Sequence, residues 1–115
     1  MNLFALVKAG TALLGTAPVR FFEFGTAPTL ETVPYATWQE LRGTPFNVIE
    51  GAPSTDFIKA QIDVWATTAA EARAVSRAVR RAIDAHGTIT FFSNTWDETS
   101  RLYRTMLHFT YPQEI

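Results

Sequence analysis

The spacing of hydrophobic and polar positions changes period within Phe57–Ile83. From Ile58 to Ala66 the even positions are Ile58, Ala60, Ile62, Val64 and Ala66, while the odd positions are Phe57, Lys59, Gln61, Asp63 and Trp65. A period of two with one apolar set predicts a strand that has one dry and one polar face. Thr68 then stands three residues before Glu71, the spacing at which a threonine hydroxyl satisfies the first free amides of a helix. Ala72, Val75, Val79, Ala82, Ile83 and His86 recur at helical spacing, and Gly87 suits the stop. The expected centre of the core is Ile58, Ile62, Val64, Val75, Val79 and Ile83, where the dry strand face meets the helix stripe.

The rest of the chain is arranged around this unit. Leu3, Phe4, Leu6, Val7, Leu13 and Leu14 fall three and four apart and predict an amphipathic helix over Asn2–Leu14, with Asn2 as its N-cap. Gly10 weakens that helix by about 1 kcal/mol relative to alanine. Val19–Phe24, rich in strand formers, lies between two copies of Gly-Thr-Ala-Pro at Gly15–Pro18 and Gly25–Pro28, which read as turns. Tyr35–Leu41, entered through Val33–Pro34, predicts a strand with neither face cleanly apolar. Arg42–Asp56, interrupted by Gly43, Pro45, Gly51 and Pro53, is the longest connection, and long loops inside compact domains are uncommon unless they serve a function. Its apolar residues Phe46, Val48 and Ile49 either fold back on the core or order against a partner during assembly.

Thr88–Ser93 predicts another strand, Asn94–Ser100 a polar turn containing Trp96, and Leu102–Tyr111 a last strand ended by Pro112. The last two strands are close enough in sequence to pair as a hairpin. The sum is an α+β (α/β-like) fold over residues 1–115 as one domain, with the long loop at 42–56. A single sheet of four to five mixed strands carries two helices on one face. If Phe57–Ala66 and Thr88–Ser93 run parallel, the helix between them is a right-handed crossover.

Composition narrows the function classes. A chain of 115 residues, 47% hydrophobic and 18% charged, suits one globular domain with a single core. Ten basic and eleven acidic residues give a net charge of −1, whereas a dedicated DNA-binding module needs a basic excess to neutralise phosphates. The absence of cysteine excludes disulfides and thiolate metal sites and fits assembly in a reducing cytoplasm. Met1–Gly15 lacks a basic leader and is interrupted by Lys8, so it is not read as a signal peptide. No run reaches the ~18–20 apolar residues of a membrane span, and a soluble protein without a membrane partner is expected.

Residues that could carry chemistry are few. His86 and His108 belong to no metal-ligand motif, and Ser54, Ser76, Ser93 and Ser100 to no nucleophile elbow. There is no glycine-rich phosphate loop. The sequence therefore offers no catalytic residue, metal ligand or cofactor site. The one concentrated charge feature is Arg73, Arg77 and Arg80 on one helical stripe with Arg81 beside it. Like charges four apart cost about 0.2–0.5 kcal/mol each, and only Glu71 and Asp84 lie within the helix to relieve them. A solvated face is the plain reading, and acidic groups of another subunit completing the stripe is the sharper one. Nucleic acid ranks third, because aromatic side chains are not interleaved with the arginines.

The order of these segments resembles a known family. An apolar N-terminal helix precedes Val33-Pro34-Tyr35-Ala36-Thr37-Trp38 and a Gly/Pro-rich loop. Then follow Gln61-Ile62-Asp63-Val64-Trp65-Ala66, the cap Thr68-x-x-Glu71-Ala72, and an Ala/Arg helix ending in Val79-Arg80-Arg81-Ala82-Ile83. From Met1 to about Ile83 this is similar to the tail-terminator (tail-completion, head–tail joining) proteins of long-tailed double-stranded DNA phages and phage-like particles. The resemblance implies a virion structural protein, not an enzyme, assembled in the host bacterial cytoplasm. It implies a homo-oligomeric ring, commonly a hexamer, at the head-proximal end of the tail tube. Such a ring ends tube polymerisation, contacts the tube protein on one side, and docks the head connector or stopper on the other. DNA passes through its lumen without sequence-specific binding. In that setting Phe57, Lys59, Gln61, Asp63 and Trp65 are expected to face the lumen or a neighbouring subunit, because Phe57 and Trp65 are too apolar for open water. Two rival readings are a small ferredoxin-like dimeric α/β-barrel enzyme, with His108, Trp38 and Trp65 lining its pocket, and a regulatory ligand-binding domain of similar topology.

Overall fold

A computed structural model describes residues 3–15, 19–23, 33–46 and 55–114. The strand predicted first, β3 (Thr55–Ala66), is the middle strand of the sheet. Around it lie β1 (Phe21–Glu23), β2 (Tyr35–Phe46), β4 (Thr88–Asp97) and β5 (Leu102–Glu114), in the order β1-β2-β3-β5-β4. β1 runs parallel to β2, and all other neighbours are antiparallel. β3 and β4 thus point the same way with β5 between them, and the predicted hairpin of the last two strands forms. Helices α1 (Leu3–Gly10) and α2 (Ala69–Ile83) contribute side chains to one core on one side of the sheet, which is the α+β fold that the pattern predicts.

Local chemistry explains the central unit. Thr68 is extended (φ −127°, ψ 153°) and its Oγ1 accepts the Glu71 amide at 3.1 Å, which starts α2. Glu71 in the first turn and Arg80 and Arg81 in the last match the helix dipole. α2 buries Val75, Val79 and Ile83 in one cluster with Ala60, Ile62 and Val64 of β3 and Leu107, Phe109 and Tyr111 of β5, and its Ala72 is buried as well. Of the expected core, Ile62, Val64, Val75, Val79 and Ile83 are buried and Ile58 is half-buried against them. From α1, Leu3 and Val7 close the same core.

Several boundaries differ from the sequence pattern, each for a physical reason. α1 stops at Gly10 instead of Leu14, and Asn2 lies outside the described residues. Both ends of the expected long loop at 42–56 are strand: β2 runs on to Phe46 and β3 begins at Thr55, while residues 47–54 lie outside the described residues. An irregularity between Glu40 and Arg42 lets the pairing continue. Pro45 is tolerated because β1 pairs only with Ala36–Trp38, which leaves that rim of β2 open among the described residues. Phe46 therefore pairs with Thr55 at the end of the β2–β3 ladder, while Val48 and Ile49 lie outside the described residues, as does the second Gly-Thr-Ala-Pro copy. The predicted turn at Asn94–Ser100 is also shorter: β4 takes in Trp96, and the turn is held by the Arg101 amide on the Asp97 carbonyl at 2.8 Å and the Thr99 amide on Asp97 Oδ1 at 3.0 Å. Pro112 does not end β5, because β3 supplies a partner at Phe57 and β4 makes no pairing beyond Thr110. Gly87 is extended (φ 177°), so it is not a left-handed helix stop. A Cβ there would meet the Thr110 carbonyl and approach the Phe109 ring to 2.7 Å.

Candidate functional site

The face of the sheet opposite the helices carries the odd positions of β3. Register places Phe57, Lys59, Gln61, Asp63 and Trp65 beside Pro112, Thr110, His108, Met106 and Arg104 of β5. Asp63 is only 8% exposed, yet it is fully partnered. Arg104 donates to its Oδ1 from Nε at 3.0 Å and from Nη2 at 2.9 Å, and Gln61 Nε2 donates to its Oδ2 at 3.0 Å. Arg104 also lies over the Trp65 ring, 5.2 Å from its centroid. Trp65 stacks on Tyr35 at 6.3 Å, and Tyr35 meets Phe22 at 6.5 Å. A run of aromatic and guanidinium surfaces thus crosses four strands. Lys59 and Gln61 are half-buried and Phe57 is exposed.

His108 sits on this face against Phe91 of β4, ring centroids 5.1 Å apart. Its Nε2 is covered and meets no hydrogen-bond partner among the described residues, although the residue as a whole is half-buried. Burial holds its pKa below the usual value, nearby Lys59 adds to the effect, and Asp63 opposes both. Trp38 is on the other face, stacked on Phe21 at 6.3 Å and packed on the core. His108, Trp38 and Trp65 therefore do not line one pocket, which corrects the arrangement required by the barrel-enzyme reading.

On the helix side, α2 covers β3 and β5 but leaves the β4 row of Phe92, Asn94 and Trp96 open. Two adjoining hollows of 210 and 170 Å³ lie between α2 and β4. Arg73, Arg77 and Arg80 form their helical wall, and the Arg80 guanidinium lies 6.0 Å from the Phe92 ring centroid. Phe92 is 58% exposed and Trp96 43%. Arg81 is exposed and outside these hollows. At the opposite rim, Glu23 and Glu40 are exposed and, with Trp38 and Gln39, frame a shallow hollow of 340 Å³. The Tyr111 hydroxyl donates to Glu40 Oε1 at 3.2 Å. Burial, then the Glu40 charge and this hydrogen bond, push the Tyr111 pKa up to about 12.

Sequence reasoning singled out the β3 face and the arginine stripe but missed Arg104, Glu23, Glu40 and the aromatic rim of β4. A period of two along Leu102–Tyr111 puts Arg104 on the same side as Met106 and His108, but only strand register makes it a neighbour of Asp63. No group of three or more metal-ligating side chains gathers among the described residues, and none of their helices is long and apolar enough to cross a membrane.

These features define a small α+β protein whose distinctive surfaces are an open sheet face and two oppositely charged rims. The chain matches the family model described as tail completion protein gp17 over residues 1–111, and it belongs to that family. The family resemblance read in the sequence is thereby borne out, and membership assigns a structural role in a phage or phage-like tail. A chain from the virion of a native gene transfer agent particle has a similar fold, with a TM-score of 0.74 and 16% identity over 98% of this chain and 92% of that one. No curated protein matches the chain in sequence.

Proposed function

We propose that this protein forms a ring, six-fold in the simplest case, on the head-proximal end of the tail tube. There it stops tube growth, docks the head connector or stopper, and leaves a channel for DNA. The family match over residues 1–111 carries this reading. A tube grows because each added ring presents the same face that it consumed, a head-to-tail contact that does not close. A terminator matches the tube on one side and offers a different surface on the other, which requires shape and not bond chemistry; the protein acts as no enzyme. The open sheet face supports the reading. Lys59 and Gln61 give it polar groups, while Asp63 and Arg104 neutralise each other, so the face suits a channel wall that lets phosphates slide past. Phe57 and Trp65 supply apolar contacts to a neighbouring subunit or to the tube, and Phe46, Val48 and Ile49, singled out by the sequence, are proposed to do the same.

The test is a particle preparation lacking this protein, imaged by negative stain. Tubes of uncontrolled length, or finished tails that never join filled heads, are expected. Normal joined particles in its absence would refute the proposal.

A further inference from the structure

Two ends of one sheet face carry opposite charge, and among the described residues each is an open rim. Arg73, Arg77 and Arg80 wall the groove beside β4, and none of them makes an ion pair among the described residues, whose ion pairs are Arg101–Glu98 and Arg104–Asp63. Glu23 and Glu40 stand at the β1–β2 end, and register puts both on the same side of the sheet as the groove, Glu23 beside Trp38 and Glu40 beside the buried Ala60.

We infer that the acidic β1–β2 rim of one copy docks into the arginine-walled α2–β4 groove of the next copy. This deepens the ring reading and rests on it. Three observations favour a second copy over another acidic partner. First, the two surfaces occupy the same layer at opposite ends of the sheet, so one rotation repeated brings them together. A contact between different patches on identical subunits is head-to-tail, and it closes into a ring if the rotation closes. Second, β4 is a long edge strand with exposed Phe91, Phe92 and Trp96 and without the lysine, proline or inward charge that natural edges use to discourage pairing. β2 beyond Glu40 is likewise open on its outer side among the described residues. Third, β4 runs opposite to β2 in the sheet, so the rim of the next copy would meet β4 antiparallel, as three of the four existing strand pairs do. The arginines then gain the carboxylates that their own helix lacks, and the Phe92 and Trp96 side chains are covered.

A charge swap tests this. One variant carries Arg77→Glu and Arg80→Glu, the other Glu23→Lys and Glu40→Lys. Assembly is read by native mass spectrometry and sedimentation over a concentration series, with thermal melts confirming that each variant folds. Each variant alone should self-associate about ten-fold more weakly than the wild type, since like charges then face each other. An equimolar mixture should recover assembly with the two variants alternating, because every junction again pairs opposite charges. Where Glu40→Lys unsettles Tyr111, the single swaps Arg77→Glu and Glu23→Lys carry the same comparison. Wild-type rings with reversal variants that assemble equally well would overturn the docking surfaces and leave the ring reading intact. Folded variants whose mixture fails to recover would do the same, as would arginine reversal that abolishes DNA binding without touching assembly. A wild type that stays monomeric at every concentration and in the presence of tail tubes would overturn both.

Discussion

Gly10 shows how one residue can carry opposite meanings in sequence and in structure. By helix propensity it is a weak point, and alanine there should gain about 1 kcal/mol. In the fold a Cβ at this position would collide with the Ala82 side chain and come 2.9 Å from its Cα. The neighbour includes backbone, which cannot swing aside, so overpacking of about 1–3 kcal/mol should outweigh the propensity gain. Gly10→Ala is therefore expected to lower the melting temperature, and an unchanged or higher value would argue against this close crossing of α1 and α2. His108 gives a second residue-scale expectation. Its native pKa lies below the usual 6.5, so the unfolded chain binds the proton more readily. The associated stability is fully present above about pH 6.5 and is lost as pH falls from there through the lowered native value. His108→Gln should flatten the decline of the denaturation midpoint with pH in that window, and parallel profiles for variant and wild type would show that His108 contributes nothing to it.

At the scale of elements, the strand and helix that open the fold are anchored by different kinds of contact. α2 starts on the Thr68 hydroxyl, and Thr68→Ala should cost about 1 kcal/mol. β3 and β5 are tied on their open face by Asp63 and Arg104. With the aspartate nearly buried and the arginine partly exposed, Asp63→Ala should cost about 1–3 kcal/mol, less than a fully buried pair because water reaches the guanidinium. Chemical denaturation of the two variants gives the order directly. A larger loss from Thr68→Ala than from Asp63→Ala would show that this pair is screened as an ordinary surface ion pair. The same element logic explains the extended strands. A strand ends where its partners end, and β2, β3 and β5 lengthen one another past the glycines and prolines that the local sequence presents as breaks.

For the whole molecule, size follows from strand count. Five strands at about 4.8 Å spacing make each copy roughly 24 Å wide, so in the proposed ring six copies joined rim to rim would form a closed band about 45 Å across at the backbone. That leaves a passage for a DNA duplex after inward side chains are counted. Native mass spectrometry of the assembled protein should give six times the protomer mass. A stable dimer as the largest species would be incompatible with a channel.

The sequence by itself determined the elements whose signals are local. The period-two run of β3, the Thr68 cap and the apolar stripe of α2 depend on side chains a few residues apart, so they can be read without the fold. The family order could be read for the same reason, since it is a succession of such local signals. Tertiary structure alone decided which strand meets which. Asp63 and Arg104 are distant in sequence and adjacent only because β5 inserts between β3 and β4. The arginine stripe was visible on a helical projection, but the groove it walls exists because α2 lies over β3 and β5 and stops short of β4. Glu23 and Glu40 carried no motif, and they share a rim because β1 pairs parallel to β2. Register and layer order are set by how the whole core packs, and no short stretch of chain encodes them.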